Sequence, residues 1–229
     1  MPPPRSIEFG RDICGDPPAA GQREWLAANG IGGFASGTIS GELTRRYHGL
    51  LVAALQPPVG RTLLVTKFNE TVQYAGERYA LGTDRWKGGE VEPQGYLYLE
   101  RFALEGRMPV WWYACADALL RKQVWMRRGE NTTYIRYCLE RGTAPMEIDL
   151  ELLVNYRDYH AATLAPLPMQ IAPIPRGLCV TASPGAVPFY IICAQGEFTG
   201  RGDWIPDYFL GIERQRGFDG LEAHCRAGT

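Results

Sequence analysis

The clearest pattern along the chain is a two-residue alternation over residues 146–154. Met146, Ile148, Leu150, Leu152 and Val154 fall on one face and Glu147, Asp149 and Glu151 on the other. A helix of period 3.6 does not sort residues this way, so the pattern predicts a strand with one buried and one wet face. Residues 131–140 repeat it, with Thr133, Ile135, Tyr137 and Leu139 opposed to Thr132, Tyr134, Arg136 and Cys138. The inward face there is expected to be β-branched and aromatic. Residues 47–55, 62–74, 96–104, 110–114, 119–127, 178–182 and 189–194 read likewise.

Glycine (27) and proline (17) punctuate these segments throughout, so no long uninterrupted helix fits. About a dozen strands spaced roughly 10–15 residues apart, with turn signals between them, predict an all-β fold: a large antiparallel β-sandwich with few short helices. Residues 164–175 hold four prolines, each lacking a backbone donor, and are expected to form a loop or an edge. Strand patterns resume after them, so one domain is expected across residues 1–229.

The charge balance removes several functions. With 24 Lys+Arg against 25 Asp+Glu, a net charge of -1 and 45% hydrophobic residues, the chain is neither a disordered tail nor a polyanion binder. No nucleic-acid partner is expected. No apolar run is long enough to span a bilayer, and residues 1–5 (Met-Pro-Pro-Pro-Arg) lack the apolar stretch of a secretory signal. The expectation is a soluble cytoplasmic protein without a membrane partner. Six cysteines form no C-x-x-C pair, so they are expected to be free thiols, with no metal and no cofactor.

Two polar clusters stand at strand boundaries. Arg45, Arg46, Tyr47 and His48 lead into the apolar segment that follows, and Asn155-Tyr156-Arg157-Asp158-Tyr159-His160 ends the strand beginning at Met146. Several side chains able to bond hydroxyls sit there, where sheets present binding loops. The alternative for Arg157 and Asp158 is an ion pair closing a turn, and for the arginines, solvated or carboxylate-paired groups. Trp86, in the polar loop Asp84-Arg85-Trp86-Lys87-Gly88-Gly89, is the best tryptophan to stack on a sugar face. Gly30, Gly32 and Ala35 formally match a dinucleotide fingerprint, but the glycine-rich, β-branched residues 37–41 disfavour the helix it requires. A tight turn or bulge is expected instead. No pair of acids is set apart for glycoside hydrolysis, and there is no nucleophile elbow, H-E-x-x-H or P-loop.

The string Trp25-Leu-Ala-Ala-Asn-Gly-Ile-Gly-Gly-Phe-Ala-Ser-Gly-Thr38, continued by Thr44-Arg-Arg-Tyr-His-Gly-Leu-Leu-Val-Ala53, resembles the opening of the prokaryotic glycogen debranching enzymes, the amylo-α-1,6-glucosidases. Pro93-Gln-Gly-Tyr96, Val124-Trp-Met126, Glu130-Asn-Thr-Thr-Tyr134, Asn155-Tyr-Arg-Asp-Tyr-His160 and the stretch from Tyr208 to Asp219 resemble the same amino-terminal domain in order. The resemblance implies a β-sandwich preceding an (α/α)₆ barrel that supplies the acid and base hydrolysing α-1,6 branch linkages of glycogen. No barrel is expected within 229 residues, so this chain is expected to be inactive alone.

Its role is then packing against the barrel, with Arg45, Arg46, Tyr47, His48, Arg157, Asp158 and His160 at the shared face and some of them positioning glucan. No catalytic residue is assigned. A freestanding carbohydrate-binding module, with Trp86 or another exposed aromatic as platform, is the alternative. Self-association of the isolated chain through an uncovered docking face is a further expectation.

Overall fold

A computed structural model describes residues 7–229; residues 1–5, on which the signal-sequence reading rests, lie outside them. Two layers of antiparallel strands enclose the main core, as the alternation predicts. The outer layer begins with five strands in the order β1 (Ile7–Phe9), β9 (Leu99–Glu105), β10 (Met108–Cys115), β11 (Ala118–Met126) and β12 (Thr133–Arg141). The inner layer runs β17 (Gly200–Phe209), β18 (Leu221–Gly228), β13 (Met146–Asp158), β5 (Val59–Tyr74), β4 (Gly49–Gln56), β3 (Phe34–Thr38) and β2 (Glu24–Ala28), with β6 (Glu77–Ala80) beside β5. A three-stranded sheet, β14 (Gln170–Ile174), β15 (Gly177–Thr181) and β16 (Phe189–Ile192), buries Leu178, Val180, Phe189 and Ile191 in the same core. A short ribbon, β7 (Thr83–Arg85) with β8 (Val91–Gln94), completes the sheets. Among the described residues helices are confined to α1 (Arg11–Cys14), α2 (Pro17–Gly21), α3 (Gly211–Gln215) and one 3₁₀ turn, Gly95–Tyr98.

The layers are held by aromatic packing and by polar groups sealed between them. Trp25 and Trp111 meet edge to face at 5.3 Å, and the Trp111 indole donates to Ile39 O across the core at 2.9 Å. Buried Glu70 on β5 accepts from Lys122 and from the Tyr137 phenol, while buried Lys67 donates to Asp84 at 2.7 Å and to the carbonyls of Gly41 and Thr83. Each charge removed from water has a partner, the condition for tolerating it.

The proline-rich run becomes the edge strand β14, where missing donors cost no ladder bonds. Residues 96–104 depart from expectation: the strand starts only at Leu99. A side chain at Gly95 would lie 1.9 Å from Leu81 O, and the chain turns tightly there, held by Gly95 N–H to Gly82 O at 2.7 Å. Leu139 also departs, being 37% exposed: β12 lies at a sheet border, and the bulge between Leu119 and Leu120 shifts the pairing at its far end.

The glycine cluster is a turn, followed by strand β3. Gly32 has φ +103°, and a Cβ there would sit 2.4 Å from Pro58 O, so the turn lies directly against the β4–β5 hairpin. Buried Asn29 organises it: its amide oxygen accepts from the N–H groups of Ile31 and Gly33, each at 3.0 Å, and its Nδ2 donates to Asn131 Oδ1. Asn131 in turn grips Ala54 through both backbone groups. Among the described residues no helix is long and apolar enough to cross a membrane.

Candidate functional site

Strand β13 leaves its sheet at Asp158, whose carboxylate accepts from the His160 N–H at 2.8 Å while its carbonyl accepts from Ala161 N–H. This local turn, an Asx-type motif, lifts Tyr159 and His160 to the rim. A second turn closes over residues 45–48 through His48 N–H to Arg45 O at 3.1 Å. The two turns, more than a hundred residues apart in sequence, meet: Tyr47 Oη bonds His160 Nδ1 at 3.1 Å, and Tyr47 packs edge-on against Tyr159 at 5.5 Å. Arg61 lies over the Tyr159 ring and donates to its hydroxyl at 3.2 Å.

Two carboxylates beneath this rim fix its cations. Glu213, fully buried at the start of α3, lies 3.2 Å from Arg46 Nε and 3.3 Å from Arg216 Nη1. Arg46 also donates to His160 O and lies over the half-exposed ring of Phe218 at 4.6 Å. Glu222, on β18, receives both Nε and Nη2 of buried Arg157, and the same Nη2 donates to Arg46 O at 2.7 Å. Such a two-pronged pair fixes orientation as well as charge. Burial pushes the Glu222 carboxyl upward, opposed by Arg157.

Below Glu222 the network runs into the core. Asn155 donates to Ala223 O and to His224 Nδ1, and accepts from the Thr163 hydroxyl at 2.9 Å. With Nδ1 also bonded to Thr66 Oγ1, the His224 proton resides on Nε2, which has no hydrogen-bond partner and stands 3.9 Å from Glu222 Oε2. Burial, reinforced by Arg157 and Lys67, holds the His224 pKa well below the usual imidazole range.

The sequence-selected residues therefore divide. Arg46, Tyr47, Arg157, Asp158 and His160 form one cluster. His48 is buried: its Nδ1 accepts from Thr44 N–H, and its Nε2 contacts Glu24 at 3.2 Å. Arg45 pairs with the same carboxylate at 2.5 Å, and His48 first, then Arg45, lower the Glu24 pKa to about 2. These two residues brace the turn from below. Trp86 stands apart, on Tyr208 with ring centroids 4.7 Å apart, its indole N–H bonded to Glu92 O at 2.7 Å. One face of that indole is thus already occupied.

Sequence reasoning missed Glu213, Glu222, Tyr159 and Phe218. Tyr159 and the Tyr208–Asp219 stretch belong to the segments that carry the family resemblance, but nothing local marks Glu213 as an internal ligand for Arg46. In β18, Glu222 and His224 alternate with Ala223, Cys225 and Ala227, a pattern that reads as one wet face, yet both faces are buried.

Chemically, the rim offers a phenol, an imidazole, a guanidinium and aromatic faces held by hydrogen bonds, all suited to hydroxyl-rich ligands. Two of its carboxylates, Glu213 and Glu222, are sealed and spent on arginines, and the third, Asp158, is exposed and accepts from the His160 N–H. The family described as "Glycogen debranching enzyme N terminal" matches residues 23–229 of the chain. No curated protein and no solved structure matches it.

Proposed function

Because the chain belongs to the glycogen debranching enzyme N-terminal family, we propose that it is the noncatalytic companion of a hydrolase acting on α-1,6-glucosidic branch linkages of glycogen. In this reading it packs against a catalytic (α/α)₆ barrel and presents the Tyr47–Tyr159–His160 rim, with Arg46, to glucan. The observation that carries the reading is the interlock of the two turns, which fixes the partly buried Arg46, Tyr47 and Tyr159 around exposed His160 on a rigid sheet border. Preorganised donors lose less entropy on binding than mobile ones. The noncatalytic assignment is supported by Glu213 and Glu222. Hydrolysis needs two carboxylates flanking the bond; Glu213 and Glu222 are buried beneath the rim and held by arginines, which leaves Asp158 as the exposed carboxylate of the cluster. Six free cysteines suit the cytoplasm, where thiols stay reduced.

Affinity electrophoresis through glycogen, run beside a glucose-release assay on branched dextrin, tests this reading. The expected result is retardation without glucose release, with retardation lost in Tyr47→Ala/His160→Ala. Glucose released by the purified chain alone would overturn the noncatalytic assignment. Retardation that survives the rim changes but disappears in Trp86→Ala would move the glucan contact to Trp86 and favour a freestanding binding module.

A further inference from the structure

The outer layer is interrupted. Its five-stranded sheet ends at β12 and the three-stranded sheet ends at β16, and among the described residues neither of these strands has a strand partner on its far side. Between them lies a groove of about 830 Å³. Thr133, Ile135 and Tyr137 of β12 line one side and residues 187–193 the other, over a floor that includes Leu50, Leu64 and Leu150 of the inner layer.

Hydrogen-bond parity shows where the unused backbone groups point. Arg127 N–H bonds Thr132 O at the β11–β12 turn, and Cys193 N–H bonds Arg176 O at the β15–β16 turn. In an antiparallel ladder, opposed residues alternate between bonded and non-bonded pairs. Counting along each register, Ile135 and Tyr137 on β12, and Tyr190 and Ile192 on β16, direct N–H and C=O away from their ladders. All four line the groove.

We infer that this groove receives an extended segment of a partner polypeptide, which pairs with β12 and β16 and joins the two sheets as a missing strand. The dimensions agree: at strand and sheet spacings one residue fills about 160 Å³, so the groove holds about five residues. A compact apolar ligand would leave both rows of backbone groups unpaired, whereas a strand satisfies them. Residues 187–194 carry no charge, and Tyr190 and Ile192 are 57% and 69% exposed, so this border lacks the charges that usually block edge pairing. Asp149 turns its carboxylate to Gln73 on the opposite face of β13, so among the described residues Glu197 is the charged side chain left to the groove, and a segment bearing Lys or Arg complements it. A whole second sheet cannot enter a gap closed on its other side by β12, which favours a single strand over edge-to-edge pairing of two copies.

Panning a random-heptapeptide display library against the chain tests the inference. Selected peptides should alternate apolar and polar residues and carry Lys or Arg. They should lose at least tenfold in affinity against Ile192→Pro, which removes an N–H not used in folding, and against Tyr190→Lys, which places a like charge on the border. Amide exchange at Ile135, Tyr137, Tyr190 and Ile192 should slow at least tenfold in the complex. Failure to select such peptides, affinity indifferent to both variants, or protection elsewhere would overturn it. So would a concentration-dependent dimer of the free chain that gives the same protection, because the occupant would then be a second copy.

Discussion

Tyr47 Oη and His160 Nδ1 stand 3.1 Å apart and join two turns that the sequence separates by 113 positions. The bond lies at the surface and fixes the orientation of both rings. Tyr47→Phe should therefore change thermal stability little, by roughly 0.5 kcal/mol or less, as for exposed polar contacts generally. Retardation in glycogen gels should weaken, because an unlocked imidazole must be ordered on binding. Unchanged retardation in Tyr47→Phe would show that this bond does not prepare the rim.

The buried Arg157–Glu222 pair behaves differently. Arg157→Ala strands a carboxylate that is 2% exposed and should cost about 3–5 kcal/mol, read as a lower urea midpoint. Replacing both residues, as Arg157→Met with Glu222→Leu, should recover most of that loss. The double variant should still weaken the rim, since Arg157 also holds Arg46 O.

Acid sensitivity should trace to His224. Its folded pKa lies well below the ordinary value of 6.5, so the unfolded chain takes up the proton first. Stability is then full above about pH 6.5 and falls as pH drops below it, at up to about 1.4 kcal/mol per pH unit. The raised Glu222 carboxyl acts oppositely, favouring the fold as pH falls through its own titration, while Glu24, lowered to about 2, loses its contribution below about pH 4.5. Denaturant titrations between pH 7.5 and 5 should show the slope in the parent chain and a flatter one in His224→Gln. An unchanged slope in the variant would assign the acid loss to other groups.

The Asn29–Asn131 clasp is expected to be structural. Asn131→Ala removes the bonds to Ala54 and Asn29 and should destabilise by about 2–3 kcal/mol. Gly32→Ala should cost at least as much, because it combines a positive φ with a backbone oxygen 2.4 Å from the new carbon. Calorimetric melting of both variants measures the loss; a midpoint within 2 °C of the parent in either would refute its assigned role.

Thiol titration should separate the cysteines into two groups. Cys14, Cys115 and Cys225 are buried, and burial pushes each pKa up to about 11, so they should react with a disulfide reagent only after unfolding. Cys138, Cys179 and Cys193 are partly accessible and should react in the native chain. Rapid native reaction of all six would contradict the packing around the first three.

Much of the fold was legible because alternation is a direct imprint of a strand with one buried face: 146–154 lies within β13, and Ile148, Leu150 and Val154 turn to the core. The proline run could be placed at an edge for the same local reason, a missing donor. Strands β2, β3, β17 and β18 do not stand out in the sequence: glycines in β3 and β17 and the buried polar Glu222 and His224 of β18 break the two-residue code, and β2 places apolar Leu26, 61% exposed, on its wet face. The rim was half legible. Arg46, Tyr47, Arg157, Asp158 and His160 stand out as polar groups at strand ends, but nothing local distinguishes partly exposed Tyr47 from buried His48 one residue later.

The sequence by itself determined the all-strand character, the turn chemistry and the family, because propensity, periodicity and short motifs act over a few residues. Only tertiary structure decided that Glu213 answers Arg46 across 167 positions, that Glu222 answers Arg157, and that β12 and β16 face one another unpaired. Ion pairs and strand pairing depend on proximity in space. Local pattern does not encode which distant turn a guanidinium meets once the sheets close.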